Sequence, residues 1–227
     1  MATAAPAPRV RWRIFAFLFG FGLLAYVQQR SITVAADHIM PDLSLSQLQI
    51  GWIEQAFVIG YALFQMPGGL FGQRFGARRT FVVIGLAACA AMMATSAGPA
   101  LLAGRALFLE LLAVQLLLGI SQAAIFPVSA GVFEAWFPPQ RWTFVQGLQT
   151  MGLQLGAAMT PPLIAILMQG FGWQRALFWT TLPALALIGL WAWYARDTPA
   201  AHPSMTAAEL AEIGDHATSA PTAPAGA

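Results

Sequence analysis

The chain of 227 residues contains no lysine, one cysteine and three histidines, and charged residues make up only 9% of it. A soluble domain carries about 25%, so these side chains could not cover a folded surface in water. The lone Cys89 lies inside an apolar run and supports neither a disulfide framework nor a cysteine metal cluster. The net charge of +2 comes entirely from arginine, too little and too scattered for a nucleic-acid surface; arginine held at one face of a membrane accounts for it. No nucleophile–base pair, metal-ligand cluster or phosphate loop stands out, so the reading is not an enzyme, with no metal and no cofactor. What is abundant is hydrophobicity: 58% of residues, with a mean hydropathy of +0.66.

That hydrophobicity comes in runs long enough for a bilayer, which needs about 20 apolar residues per helix. Met1 to Pro8 is rich in alanine and proline, and Arg9, Arg11 and Arg13 then mark a cytoplasmic edge, so residues 1–12 read as a cytoplasmic segment. Six helices are expected within 13–195, at about 14–36, 47–71, 80–96, 107–133, 143–168 and 176–194. The first is too long for a signal peptide and is followed by further spans, so it stays in the protein. Pro67-Gly68-Gly69 interrupts the second span, Phe137-Pro138-Pro139 makes an inner turn, and Gly170 to Trp173 an outer one. Residues 196–227 read as a polar, mostly unstructured cytoplasmic tail. Eight arginines (9, 11, 13, 74, 78, 79, 141, 196) then fall inside, two (105, 175) outside, and Arg30 within a span. This bias predicts an all-α, multi-pass protein of a cell (inner) membrane with both termini cytoplasmic.

Gly69 to Arg79, GLFGQRFGARR, is short, glycine-broken and triply basic, and reads as a tight cytoplasmic hairpin. It resembles the signature loop between helices 2 and 3 of the major facilitator superfamily. Gly69, Arg74, Gly76, Arg78 and Arg79 match that motif, and Gln73 stands where the family carries aspartate. The likeness extends to Tyr26–Ala36, to Gly60-Tyr61-Ala62 through Pro67-Gly68, to Gly119–Trp136, and to the tail Arg196-Asp197-Thr198-Pro199 with His202-Pro203 and Glu209-Leu210. These stretches resemble the anion:cation symporter family within that superfamily. The resemblance implies the amino-terminal six-helix half of a twelve-helix transporter, working by alternating access on small organic anions such as sugar acids. The second half is absent from this chain, so three further readings stand beside it. One is a truncated or split-gene half without autonomous transport. Another is a homodimer building one pathway, and the last is an interaction subunit serving a partner.

A charge within a span is a functional candidate. Arg30 is the clearest, beside Gln28 and Gln29, where the family carries an Asp-Arg pair after a Tyr-x. Aligned from Tyr26 the pair falls on Gln28-Gln29; shifted by one it falls on Gln29-Arg30. Arg30 could bind a substrate carboxylate through its guanidinium, or it could pair with helix carbonyls or snorkel to the edge. In the fourth span Gln115 and Gln122 replace a family arginine and glutamate. With Tyr26, Gln29 and Arg30 they form the expected substrate site. Glutamine keeps the size of glutamate but cannot exchange a proton near neutral pH, so transport is expected not to be coupled through the family's usual acids. Glu54 and Glu110 read as interfacial, and Asp37-His38 as a solvated pair. Gly147, Gly152 and Gly156 read as helix-packing positions. The tryptophans at 12, 52, 136, 142, 173 and 191 read as interface anchors.

Overall fold

The computed structural model describes residues 10–213; the expected cytoplasmic segment before Val10 and the end of the tail lie outside them. Within that range the chain forms α1 (Val10–Leu43), α2 (Gln47–Phe75), α3 (Ala77–Leu101), α4 (Gly104–Ala123), α5 (Ile125–Trp136), α6 (Trp142–Trp179), α7 (Thr181–Tyr194) and α8 (Ala207–Ile213). Single 3₁₀ turns at Pro139–Arg141 and Pro199–Ala201 precede α6 and α8. α4 and α5 form one rod bent at Ala124, and α6 breaks at Gly172, where φ is 78°. The part of α6 after Gly172 continues through Thr180 into α7, so α1 to α7 group into six rods among the described residues, with the short α8 apart. Val10–Leu43, Ala77–Leu101, Gly104–Trp136 and Pro139–Tyr194 are each long and apolar enough to cross a membrane; α2, which carries five glutamines, is not among them.

Several boundaries differ from expectation for readable reasons. α1 runs on through Asp37 to Leu43 because Ile32, Ala35 and Ile39 keep a three-four spacing on the buried side, while Asp37 and His38 face out. Trp173 also donates its indole N–H to Asp42 at 2.8 Å, tying the end of α1 to the break in α6. α2 begins where expected: Ser46 and Gln49 form a reciprocal capping box. Pro67 lies within α2 without ending it. The expected signature loop, Gly69 to Arg79, is helical except at one residue. Gly76 (φ 82°, ψ 155°) alone makes the turn between α2 and α3, in a conformation that a side chain strains.

The rods pack in pairs. α1 lies along α6, with Phe19 against Gly152 and the carbonyl of Leu23 against Gly156. α2 lies along α4, meeting at Gly60 and Gly119, where a Cβ would strike the backbone of Leu116 and Phe57 respectively. Gly147 meets nothing and plays no packing part. α3 runs against α7 through Gly85 and Ile188 and through the ring cluster of Phe21, Phe81 and Trp191. Trp136, Trp173 and Trp191 are buried in the two apolar cores rather than standing as interface anchors; Trp52 alone of the six is well exposed. Trp191 and Trp173 sit inward because their indole N–H groups find partners there, the Arg78 carbonyl and Asp42.

Candidate functional site

Polar side chains that four rods carry into one region line two neighbouring recesses. Tyr26 and Gln29 of α1, Tyr61 of α2 and Gln122 of α4 line a recess of about 90 Å³, with Phe57, Phe126 and Leu153 as its apolar wall. Phe126 is shared with a larger open cleft of about 530 Å³ lined by Gln65, Met66, Pro127, Gln146, Gln149 and Thr150. Helix periodicity explains the alignment: Tyr61 and Gln65 are four apart on α2, and Gln146, Gln149 and Thr150 three and four apart on α6. The bend at Ala124 aims Phe126 and Pro127 into the cavity from α5. Among the described residues, no charged side chain lines either part.

Of the expected site residues, the fold brings Tyr26, Gln29 and Gln122 together. Gln28 turns the other way: it is buried and accepts from Gln122 Nε2 at 3.5 Å. Arg30 is exposed, one helical turn on from Tyr26, and makes no hydrogen bond or ion pair among the described residues; the pairing with helix carbonyls is absent. Gln115 is buried, lines neither part of the cavity, and leaves Nε2 without a partner. Tyr61, Gln65, Gln146, Gln149 and Thr150 were missed by sequence reasoning, although polar residues at helical spacing inside apolar spans were the available signal. Gln149 is held in place by donating to Ser129 Oγ at 2.7 Å. Glu110 faces α3 rather than an interface: its carboxylate packs at Gly98, with Oε2 buried and unpartnered.

The signature residues form a latch instead of a lining. Arg78 N–H donates to Asp197 Oδ1 at 2.8 Å, and its guanidinium donates to the Ala192 carbonyl. A Cβ on Gly76 would lie 2.6 Å from Asp197, so only glycine lets the tail carboxylate approach the start of α3. An acid there also complements the helix dipole, worth about 0.3–1 kcal/mol. Gly69 rests on Pro127 of α5. Gln73, Arg74 and Arg79 are exposed, and Arg74 lies 5.6 Å over the Phe75 ring. Beyond Asp197 the tail docks by His202, which packs against Tyr194 and Trp136, and by the ion pair of buried Arg11 with Glu212 at 2.8 Å.

The family model of the Major Facilitator Superfamily matches residues 18–224. The chain is 32% identical over 191 residues to a probable sulfoacetate transporter, SauU, of Cupriavidus necator, covering 84% of this chain and 43% of that one. It is 30% identical to a hexuronate transporter of Bacillus subtilis, covering 82% and 42%. Among solved structures it resembles the proton:xylose symporter XylE (TM-score 0.73, 13% identity, 84% of this chain and 46% of that one) and, at 0.69 and 19%, a bacterial homologue of the lysosomal transporter Spinster, covering 85% and 44%. Those two likenesses concern the fold alone. The chain spans less than half the length of the relatives it matches. The family and these relatives are transporters rather than enzymes. With paired rods around a polar cavity, and a matching family model over nearly its whole length, the chain belongs to the major facilitator superfamily and is an integral membrane protein.

Proposed function

We propose that this chain forms one half of the pathway of an alternating-access carrier for small organic anions, in a bacterial inner membrane. Six spans cross the bilayer, and the arginine-rich end, with both termini, faces the cytoplasm. Arg30 carries the reading: it is an unpaired guanidinium within a membrane helix, one turn from the Tyr26–Gln29–Gln122 recess. A cation placed there without a counter-charge is costly unless something anionic visits it. A carboxylate or sulfonate matches its paired N–H donors, and the tyrosines and glutamines offer hydrogen bonds to the rest of a hydroxylated substrate. The relatives named for sulfoacetate and hexuronate handle anions of that kind.

A second reading rests on the open cleft, where Gln65 of α2 and Gln146 of α6 are exposed on its wall. On that reading the chain binds substrate, and transport requires a second six-helix wall, from a partner half or a second copy.

Both readings meet in one experiment on the purified chain. Binding of galactonate, glucuronate and sulfoacetate is followed by thermal shift in detergent, and uptake is followed in proteoliposomes. Loss of one charge-assisted hydrogen bond is worth about 1.5–3 kcal/mol, so Arg30→Gln should weaken binding by roughly 10- to 100-fold, with Arg30→Lys recovering part of it. Arg30-dependent binding without uptake supports the second reading. Binding that is indifferent to Arg30→Gln sinks both.

A further inference from the structure

A groove between α1 and α7 shares no residue with the glutamine-lined cavity. Ala16, Phe17, Leu187, Leu190 and Trp193 line an open apolar trough of about 340 Å³, with Arg13 and Tyr194 completing it. These last two stand at the start of α1 and the end of α7, so they form one rim at the arginine-rich end. From Tyr194 back to Leu187 the trough runs roughly 10 Å along α7, and its lining beyond the rim is wholly apolar. Trp193, 74% exposed, stands at that rim, the depth at which tryptophan meets headgroups.

The rim is positive, and among the described residues no carboxylate pairs with its arginines. Arg13 is exposed, and its one hydrogen bond among the described residues is a long donation, 3.5 Å, to the Tyr194 hydroxyl. Arg196 lies two residues further on and, among the described residues, donates only to the carbonyls of Trp193, Tyr194 and Ala195. Both guanidiniums bear on His202, which places them around the same spot. Glu209 also faces His202 but takes up the Thr206 hydroxyl and pairs with neither arginine. The ion pair present among the described residues, Arg11 with Glu212, uses neither.

We infer that this groove binds one anionic glycerophospholipid, one of its two acyl chains lying along Ala16, Leu187 and Leu190 and its phosphate on Arg13 and the Tyr194 hydroxyl. An apolar trough that ends at headgroup depth in a guanidinium with no ion pair among the described residues is complementary to a lipid that lays one acyl chain along it and carries one fixed negative charge. A zwitterionic lipid would fill the trough but bring its own cation to an already positive rim. A free phosphate would use the rim and leave the trough empty.

The test uses the full chain in detergent, by native mass spectrometry and thermal unfolding, with phosphatidylglycerol, phosphatidylcholine and glycerol phosphate as probes. One phosphatidylglycerol per chain should be retained, with a rise in melting temperature that phosphatidylcholine does not give. Arg13→Gln should weaken that binding by roughly tenfold, the loss of one charge-assisted contact. Ala16→Trp, at an exposed lining position, should block the trough and abolish it, which keeps the test alive if Arg13→Gln fails to fold. Arg141→Gln, an exposed arginine at the same end but outside the trough, should leave it unchanged. Equal retention of phosphatidylcholine, the same stabilisation by glycerol phosphate, or an equal loss in Arg141→Gln would each overturn the inference.

Discussion

His202 shows how much one side chain outside the membrane rods decides. Its ring lies 4.7 Å from Tyr194 and 6.0 Å from Trp136, and its Nδ1 accepts the Ser204 N–H at 3.2 Å, a bond that needs the neutral ring. Burial, then the neighbouring Arg196, push its pKa below the ordinary 6.5; Arg13 adds to this, while the Tyr194 backbone and Glu209 oppose it. The docked tail therefore prefers neutral histidine. Docking is at full strength above about pH 6.5 and weakens as the pH falls through that value, because the released ring takes up a proton more readily. Hydrogen-exchange protection of residues 199–205, corrected for intrinsic rates, should fall between about pH 7 and about pH 5. In His202→Asn, which can still accept from Ser204 but does not titrate, it should stay flat. The sequence marked this histidine only as part of a family-like tail, since the Trp136 and Tyr194 rings that bury it come from distant positions.

At the scale of elements, close approach of paired helices shapes the cavity. The Gly152–Gly156 spacing was readable as a packing stripe, and it meets Phe19 and the Leu23 carbonyl of α1. The tighter crossing, Gly60 against α4 and Gly119 against α2, was not readable as a pair, because its two glycines lie on different helices. Gly119→Val would drive a side chain into the Phe57 carbonyl and should destabilise the chain by at least about 1–3 kcal/mol, seen as a lower unfolding temperature in detergent. Gly131→Ala, where nothing lies within 4 Å, should be neutral or stabilising by up to about 1 kcal/mol from helix propensity. If the two variants unfold alike, the crossing is not the constraint. The expected signature loop is part of the same packing: Gly72, within α2, lies on Val128 of α5, and the helix runs to Phe75.

Across the whole molecule, the arginine bias becomes a bias between two ends. Trp12 meets Phe137, Arg78 meets Ala192 and Asp197, and Arg11 meets Glu212, so the starts of α1, α3 and α6 gather with the ends of α2, α5 and α7. At the other end are the Asp42–Trp173 bond and the Gly98–Glu110 contact. Between them lies a cavity whose polar lining holds amides and hydroxyls and no carboxylate. On the proposed function, substrate movement by such a lining should be insensitive to pH across the neutral range, since none of those groups exchanges a proton there. Gln122→Glu would place a titrating carboxyl beside Gln28 in the recess and should introduce a pH dependence into uptake or binding. A pH profile unchanged by that substitution, or one already steep in the wild type, would count against it.

Composition and hydrophobic runs were enough to point to a helical membrane protein with its arginines biased to one side, and the Gly69–Arg79 and Arg196–Pro199 stretches carried its family likeness. These depend on the solvent each segment needs and on local spacing, both written along the chain. The cavity, the Gly60–Gly119 crossing, the burial of Trp136, Trp173 and Trp191, and the latch from Arg78 to Asp197 were decided only by tertiary packing. Each joins residues far apart in sequence, and hydropathy cannot say which polar residue of a span will face another helix, a water-filled cleft or lipid. Gln28 and Gln29 make the point: they are adjacent in the chain, yet one is locked against Gln122 and the other opens to the recess, because a helix turns 100° between them.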